Sequence, residues 1–160
     1  METNTSERLR LLIVPGLHDS PPGHWQSWLQ ARHPRAVRVQ QRDWTTPDLE
    51  RWAARVGAAL ERSGPGRWLV TAHSFGVLAL LRHLQRNPTS PVVAALLPAG
   101  PLSRPSTLVL SANDPWLPSA AGQRWARRWG CQVEMLGAAG HINVASGFGP
   151  LPLAERWLQA

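Results

Sequence analysis

Short runs of apolar, β-prone residues recur along the chain at Leu11 to Val14, Ala36 to Gln40, Trp68 to Thr71, Val92 to Leu97, Thr107 to Leu110 and Gln132 to Leu136. Several are continuous rather than alternating, which suits strands covered on both faces of a parallel sheet. Helical spacing separates most of them. The clearest stretch is Pro47 to Arg62, where Leu49, Trp52, Ala53, Val56 and Leu60 fall on one face. Thr46 is placed to cap that helix, with Pro47 at the first helical position, where a missing N–H costs nothing. Shorter helices are predicted over His24 to Arg32, Phe75 to Gln85, Ala120 to Trp129 and Leu153 to Gln159. Strand alternating with helix predicts an α/β fold with an open, doubly wound, mostly parallel sheet. In such sheets ligands bind outside the carboxyl ends of the strands, so the chemistry is sought there.

The 160 residues contain no repeat, low-complexity block or linker and are read as one domain over 1–160, with residues 1–9, which lack an apolar pattern, expected to be flexible. No apolar run is long enough to span a bilayer, and the polar start lacks a secretion signal. A single cysteine, Cys131, offers neither an internal disulfide nor a metal cluster. These features predict a reducing, cytoplasmic setting with no membrane partner. The net charge of +7 raises the question of nucleic-acid binding. The basic residues are all arginine and are dispersed, Arg127 and Arg128 being the densest pair, so no polyanion stripe forms and no nucleic-acid partner is expected.

The run Trp68 to Thr71 leads into Ala72-His73-Ser74-Phe75-Gly76, and an apolar helical pattern follows at once. Strand, small-x-Ser-x-Gly turn and helix are the parts of a nucleophile elbow, in which the serine is presented on a strained turn. The helix start places the Phe75 N–H and a positive dipole end where an oxyanion would develop. A serine hydroxyl needs a base, and the base needs an orienting acid. Asp114 follows the fifth predicted strand and His141 follows the sixth, giving the order Ser, Asp, His with each residue on a loop at the carboxyl edge. Asp19 and Asp43 are the alternative acids. The loop Val14-Pro15-Gly16-Leu17-His18 offers a second oxyanion donor in the Leu17 N–H, with Gly16 letting the backbone turn. His18 and Trp116 are candidate substrate contacts at the rim. His73 is expected to point away from Ser74 into packing. His24, His33 and His83 lack metal-ligand spacing, so no metal site is assigned. Trp25, Trp28, Trp44 and Trp52 are read as packing residues rather than a base-stacking platform.

Together these segments resemble the small serine hydrolases of the YdeN and retinoblastoma-binding protein 9 type. The resemblance runs from about Leu11 to the C-terminus. It is carried by Val14-Pro15-Gly16, His24-Trp25-Gln26 with Trp28, Asp43-Trp44 with Pro47 and Trp52, Ala72 to Gly76, Asn113-Asp114-Pro115, Trp129-Gly130, Gly140 to Asn143, and Ser146 to Gly149. It implies a minimal α/β-hydrolase with strand order 2-1-3-4-5-6, no cofactor, and a triad of Ser74, Asp114 and His141. The activity expected is esterase-like or amidase-like hydrolysis of a small-molecule carboxylic ester or amide. The alternative is a low-turnover module of the same fold that binds a protein partner.

The chain departs from the family pattern between the fourth and fifth predicted strands, where only Pro98 to Ser106 remain. Parallel strands normally need a crossover of about a dozen residues or more. A reduced roof predicts an open acyl site, in which each methylene left unburied forgoes roughly 0.8 kcal/mol. Accordingly, kcat/KM should stay nearly flat from acetyl to octanoyl p-nitrophenyl esters. A rise of about tenfold per two methylenes, or roughly 1.4 kcal/mol, would instead show a closed apolar tunnel.

Overall fold

The computed structural model describes residues 9–96 and 105–160. Six strands run β1 (Leu9–Val14), β2 (Val37–Arg38), β3 (Arg67–Ala72), β4 (Val92–Leu96), β5 (Ser106–Leu110) and β6 (Gln132–Met135). The helices are α1 (Trp25–Arg32), α2 (Leu49–Arg62), α3 (Phe75–Arg86), α4 (Ser119–Trp129) and α5 (Pro152–Gln159). The strands form one sheet in the order β2-β1-β3-β4-β5-β6, with every pairing parallel. This is the order that the resemblance to the small α/β-hydrolases implies.

Alternate residues of β1 explain the two-sided core. Leu12 and Val14 pack with Trp52, Val56 and Leu60 of α2 and with Val77, Leu80 and Leu84 of α3. Leu11 and Ile13 point to the other face, against Trp25 and Leu29 of α1 and Ala154 of α5. Leu108 and Leu110 of β5 are covered by Ala126 of α4. An unbroken apolar run is therefore required wherever a strand is sandwiched between helices. No described helix is long and apolar enough to cross a membrane.

Several boundaries differ from the sequence-based expectation. Leu9 belongs to β1 rather than to a flexible start, and residues 1–8 lie outside the described ones. Helix α2 begins at Leu49 and is capped by Asp48, whose side chain accepts the Arg51 N–H. Thr46 instead donates its hydroxyl to Asp43, so Thr46 and Pro47 sit in the approach turn. His24 caps α1 instead of starting it, accepting the Gln26 N–H. The β2 run shrinks to two residues because it pairs only with β1, at Leu12 and Ile13. β6 reads as an apolar run, yet all four of its residues are exposed at the sheet edge. Residues 97–104, which include most of the short roof connection, lie outside the described residues.

The order of strands creates the place for chemistry. From β1 the chain moves outward to β2 and then returns to β3 on the other side of β1. The loops after β1 and β3 consequently diverge and leave a crevice at their carboxyl ends. Burial also separates two tryptophans. Trp52 is 1% exposed and Trp116 is 78% exposed. Trp52→Ala should cost about 3–5 kcal/mol in urea denaturation, whereas Trp116→Ala should change stability by less than about 0.5 kcal/mol.

Candidate active site

The elbow after β3 is sharply bent. Ser74 has φ 54° and ψ −127°, a region that a side chain rarely adopts, and α3 starts at the next residue. The bend is possible because its neighbours are small. A Cβ on Gly76 would run into the carbonyl oxygens of Pro15 and Val14. A Cβ on Gly16 would lie 2.8 Å from the Ser74 Cβ and from the His73 carbonyl oxygen. Glycine at both positions lets the β1 loop lie directly against the elbow.

Ser74, His141 and Asp114 come together across three loops. The Ser74 Oγ lies 2.9 Å from His141 Nε2, and His141 Nδ1 lies 3.0 Å from both oxygens of Asp114. Asp114 is held in turn by the backbone N–H groups of Trp116 at 2.8 Å and Leu117 at 3.3 Å. With Nδ1–H donated to a carboxylate, Nε2 is left to accept the serine proton. The two alternative acids are engaged elsewhere. Asp19 pairs with Arg38 at 3.2 Å. Asp43 accepts from Thr45 and Thr46, bonds that hold its carboxyl well below the usual range.

The two backbone donors considered for an oxyanion are both unengaged. Among the described residues, neither the Leu17 N–H nor the Phe75 N–H has a hydrogen-bond partner. The neighbouring His18 N–H is donated to the Trp44 carbonyl at 2.9 Å. His18 is exposed, with φ 64°, and Asp19 follows with φ 61°. Trp116 stands edge-on to the His141 ring at 6.5 Å.

The loops are joined by side chains whose positioning part the motifs alone do not reveal. Asn113 Oδ1 accepts the Gly140 N–H at 2.7 Å, tying the Asp114 loop to the His141 loop. Ser111 accepts the Ala139 N–H at 3.0 Å and donates to Asn113. Gln26 is fully buried and donates to the carbonyls of Val14 and Thr71, bridging β1 to β3 beneath the crevice. Its position inside the His24-Trp25-Gln26 segment was the available signal. His73 does turn away from Ser74, but it also bonds the His141 carbonyl.

Of the remaining histidines, His33 pairs with Glu155 of α5 at 3.2 Å, and His83 is buried in α3. Trp25 and Trp52 are core residues, while Trp28 and Trp44 pack at its margin. A cleft of about 740 Å³ lies at the amino ends of β1 and β3, bordered by Arg10, His33 and Arg35. It is at the opposite edge of the sheet from Ser74.

A family model described as serine hydrolase matches residues 11–104 and 95–160. The chain belongs to the serine hydrolase family. A protein described as a YdeN-like hydrolase from Pectobacterium atrosepticum is 33% identical, with a TM-score of 0.87 covering 94% of this chain and 89% of that one. The ydeN gene product of B. subtilis is 18% identical, with a TM-score of 0.78 and coverage of 95% and 97%. Mouse alpha/beta hydrolase domain-containing protein 10 is 13% identical, with a TM-score of 0.64 and coverage of 91% and 86%. The last two likenesses establish the fold. Among curated proteins no sequence matches significantly.

Two histidines behind the site make stability pH-dependent. Burial lowers the His24 pKa from 6.5 to about 3, and the neighbouring His73, Arg38 and His141 add to the effect. Burial also lowers His73, from 6.5 to about 4. Both folded values lie below the unfolded one, so the unfolded chain binds more protons once the pH falls below about 6.5. Stability should be full above that pH and decline as the pH falls towards about 4, by about 1–2 kcal/mol per histidine by pH 5. His24→Asn keeps a cap acceptor for α1 and should flatten the slope of ΔG against pH in denaturant titrations.

Proposed function

We propose that this serine hydrolase cleaves a small-molecule carboxylic ester or amide through a covalent seryl-acyl intermediate. The observation that carries this reading is the continuous line from Ser74 Oγ through the His141 imidazole to Asp114, with both hydrogen bonds within 3.0 Å. In acylation, the Ser74 oxygen forms a bond to the substrate carbonyl carbon while its proton passes to His141 Nε2. The carbonyl π electrons move onto oxygen, which the Leu17 and Phe75 N–H groups would receive. Collapse of the tetrahedral adduct breaks the bond to the alcohol or amine, and His141 returns the proton to that leaving group. Water then attacks the acyl-serine by the same route, restoring Ser74 and releasing the acid. Asp114 orients His141 and offsets the charge of the imidazolium.

The helix start at Phe75 favours the developing negative charge, and no cofactor is called for in any step. His18 and Trp116 stand at the rim, where they would meet the acyl or leaving group. A cytoplasmic location fits the lone Cys131, which is partly buried and free.

A fluorophosphonate probe should attach to Ser74, as located by mass spectrometry, and Ser74→Ala should abolish both labelling and hydrolysis. Asp114→Asn should keep the fold but lose on the order of 10³–10⁴ in kcat. Full activity in either variant would overturn the assignment. Wild-type protein that neither labels nor turns over esters and amides would favour the binding-module alternative.

A further inference from the structure

Both backbone groups of His141 are gripped by side chains. Its N–H donates to Ser146 Oγ at 2.9 Å, and its carbonyl accepts from His73 Nε2 at 2.8 Å. The direction of the second bond follows from chemistry, because a carbonyl oxygen only accepts and Nε2 must therefore carry the hydrogen. The first is fixed in the same way. Ser146 donates its own hydroxyl to Asn143 Oδ1 at 2.6 Å, leaving its lone pairs for the His141 N–H.

This peptide needs holding. Gly140 has φ 57° and Ile142 has φ 53°, so left-handed residues flank His141 on both sides. Ile142 is β-branched, and such a conformation persists only where the surroundings enforce it. A Cβ on Gly140 would strike the Ser146 side chain, so the loop closes tightly around its own anchor. His73 is itself immobilised. Its ring lies 4.8 Å from His24, 6.2 Å from Trp25 and 5.1 Å from His141.

We propose that His73 and Ser146 are positioning residues that clamp the His141 peptide and so set the distance from its Nε2 to Ser74 Oγ. The proposal rests on the triad reading above. His73 adjoins Ser74 in the chain, so the bond references the base directly to the elbow that carries the nucleophile. The titratable groups facing His73 are His24, His141 and Asp114. Its burial keeps it neutral in the working range, so it adds no positive charge beside the imidazolium that forms on His141.

The test compares His73→Gln, His73→Leu and Ser146→Ala with wild type. Glutamine can present an amide N–H near the position of Nε2, whereas leucine presents none. The readouts are kcat and KM for p-nitrophenyl acetate, the rate of fluorophosphonate labelling, and the low-field proton resonance of His141 Nδ1–H bonded to Asp114. His73→Leu should lose about 10²-fold in kcat and labelling rate, with KM little changed and the resonance broadened or lost. His73→Gln should recover most of the loss, and Ser146→Ala should lose about tenfold with the same KM. Equal losses in the glutamine and leucine variants, or a wild-type resonance and rate in His73→Leu, would overturn the clamp. Should His73→Leu fail to fold, Ser146→Ala decides: a wild-type rate and resonance there overturn it. Failure of the triad reading is seen separately, as hydrolysis or labelling that survives Ser74→Ala, while the resonance still reports on the clamp.

Discussion

Gly76 lies so close to the carbonyl oxygens of Val14 and Pro15 that no side chain fits between them. This contact fixes how near the β1 loop comes to the elbow, and the rest of the site is arranged around it. Ser74 can hold φ 54° only while that loop and α3 press on the turn from both sides. The same approach places the Gly16 turn against His73 and Ser74. On the proposed reading, donors fixed before any substrate arrives would need no reorganisation when charge develops. A methyl group at Gly76 would force the β1 loop and the Ser74 turn apart together.

The support beneath this contact comes from elements that carry no chemistry. Gln26 joins the ends of β1 and β3, and Ser20 donates to its oxygen at 2.6 Å. Arg38, on the two-residue strand β2, reaches Asp19 and the Ser20 carbonyl and so braces the far end of the β1 loop. A short edge strand thus has a purpose that its length does not suggest. On the opposite side of the crevice, Asn113 and Ser111 bind the Asp114 loop to the His141 loop. Breaking one of these bonds would leave a polar group without its partner, and this couples the Asp114 loop to the His141 loop.

The sheet was legible in the sequence because sandwiched strands need unbroken apolar runs, and Leu11 to Val14 and Trp68 to Thr71 have them. The residues that meet at the site were legible for a related reason: Ser74, Asp114 and His141 each follow a strand on the side where loops converge. What pattern could not reveal depends on packing at a distance. Asp48 outcompetes Thr46 as the α2 cap because Asp43 has already engaged Thr46. The exposure of β6 reflects its place at the sheet edge, which the order of strands decides rather than the composition of Gln132 to Leu136. His73 reads as a packing residue from its motif alone, since the motif does not show that the His141 carbonyl will lie 2.8 Å away.

Among the described residues, the non-glycine residues with positive φ are His18, Asp19, Ser74 and Ile142. All four lie in loops that follow β1, β3 and β6, at the carboxyl edge of the sheet. Such conformations cost on the order of 1–3 kcal/mol each, a large fraction of the stability of a domain this size. Their confinement to one edge means that the core and the opposite edge must over-determine the fold. The fully buried Trp68, Leu12, Ile13 and Leu80 do this from both faces of the sheet. The strained residues therefore gather at the edge that holds Ser74 and His141, and the buried Gln26 and the partly buried His73 link the core to these loops.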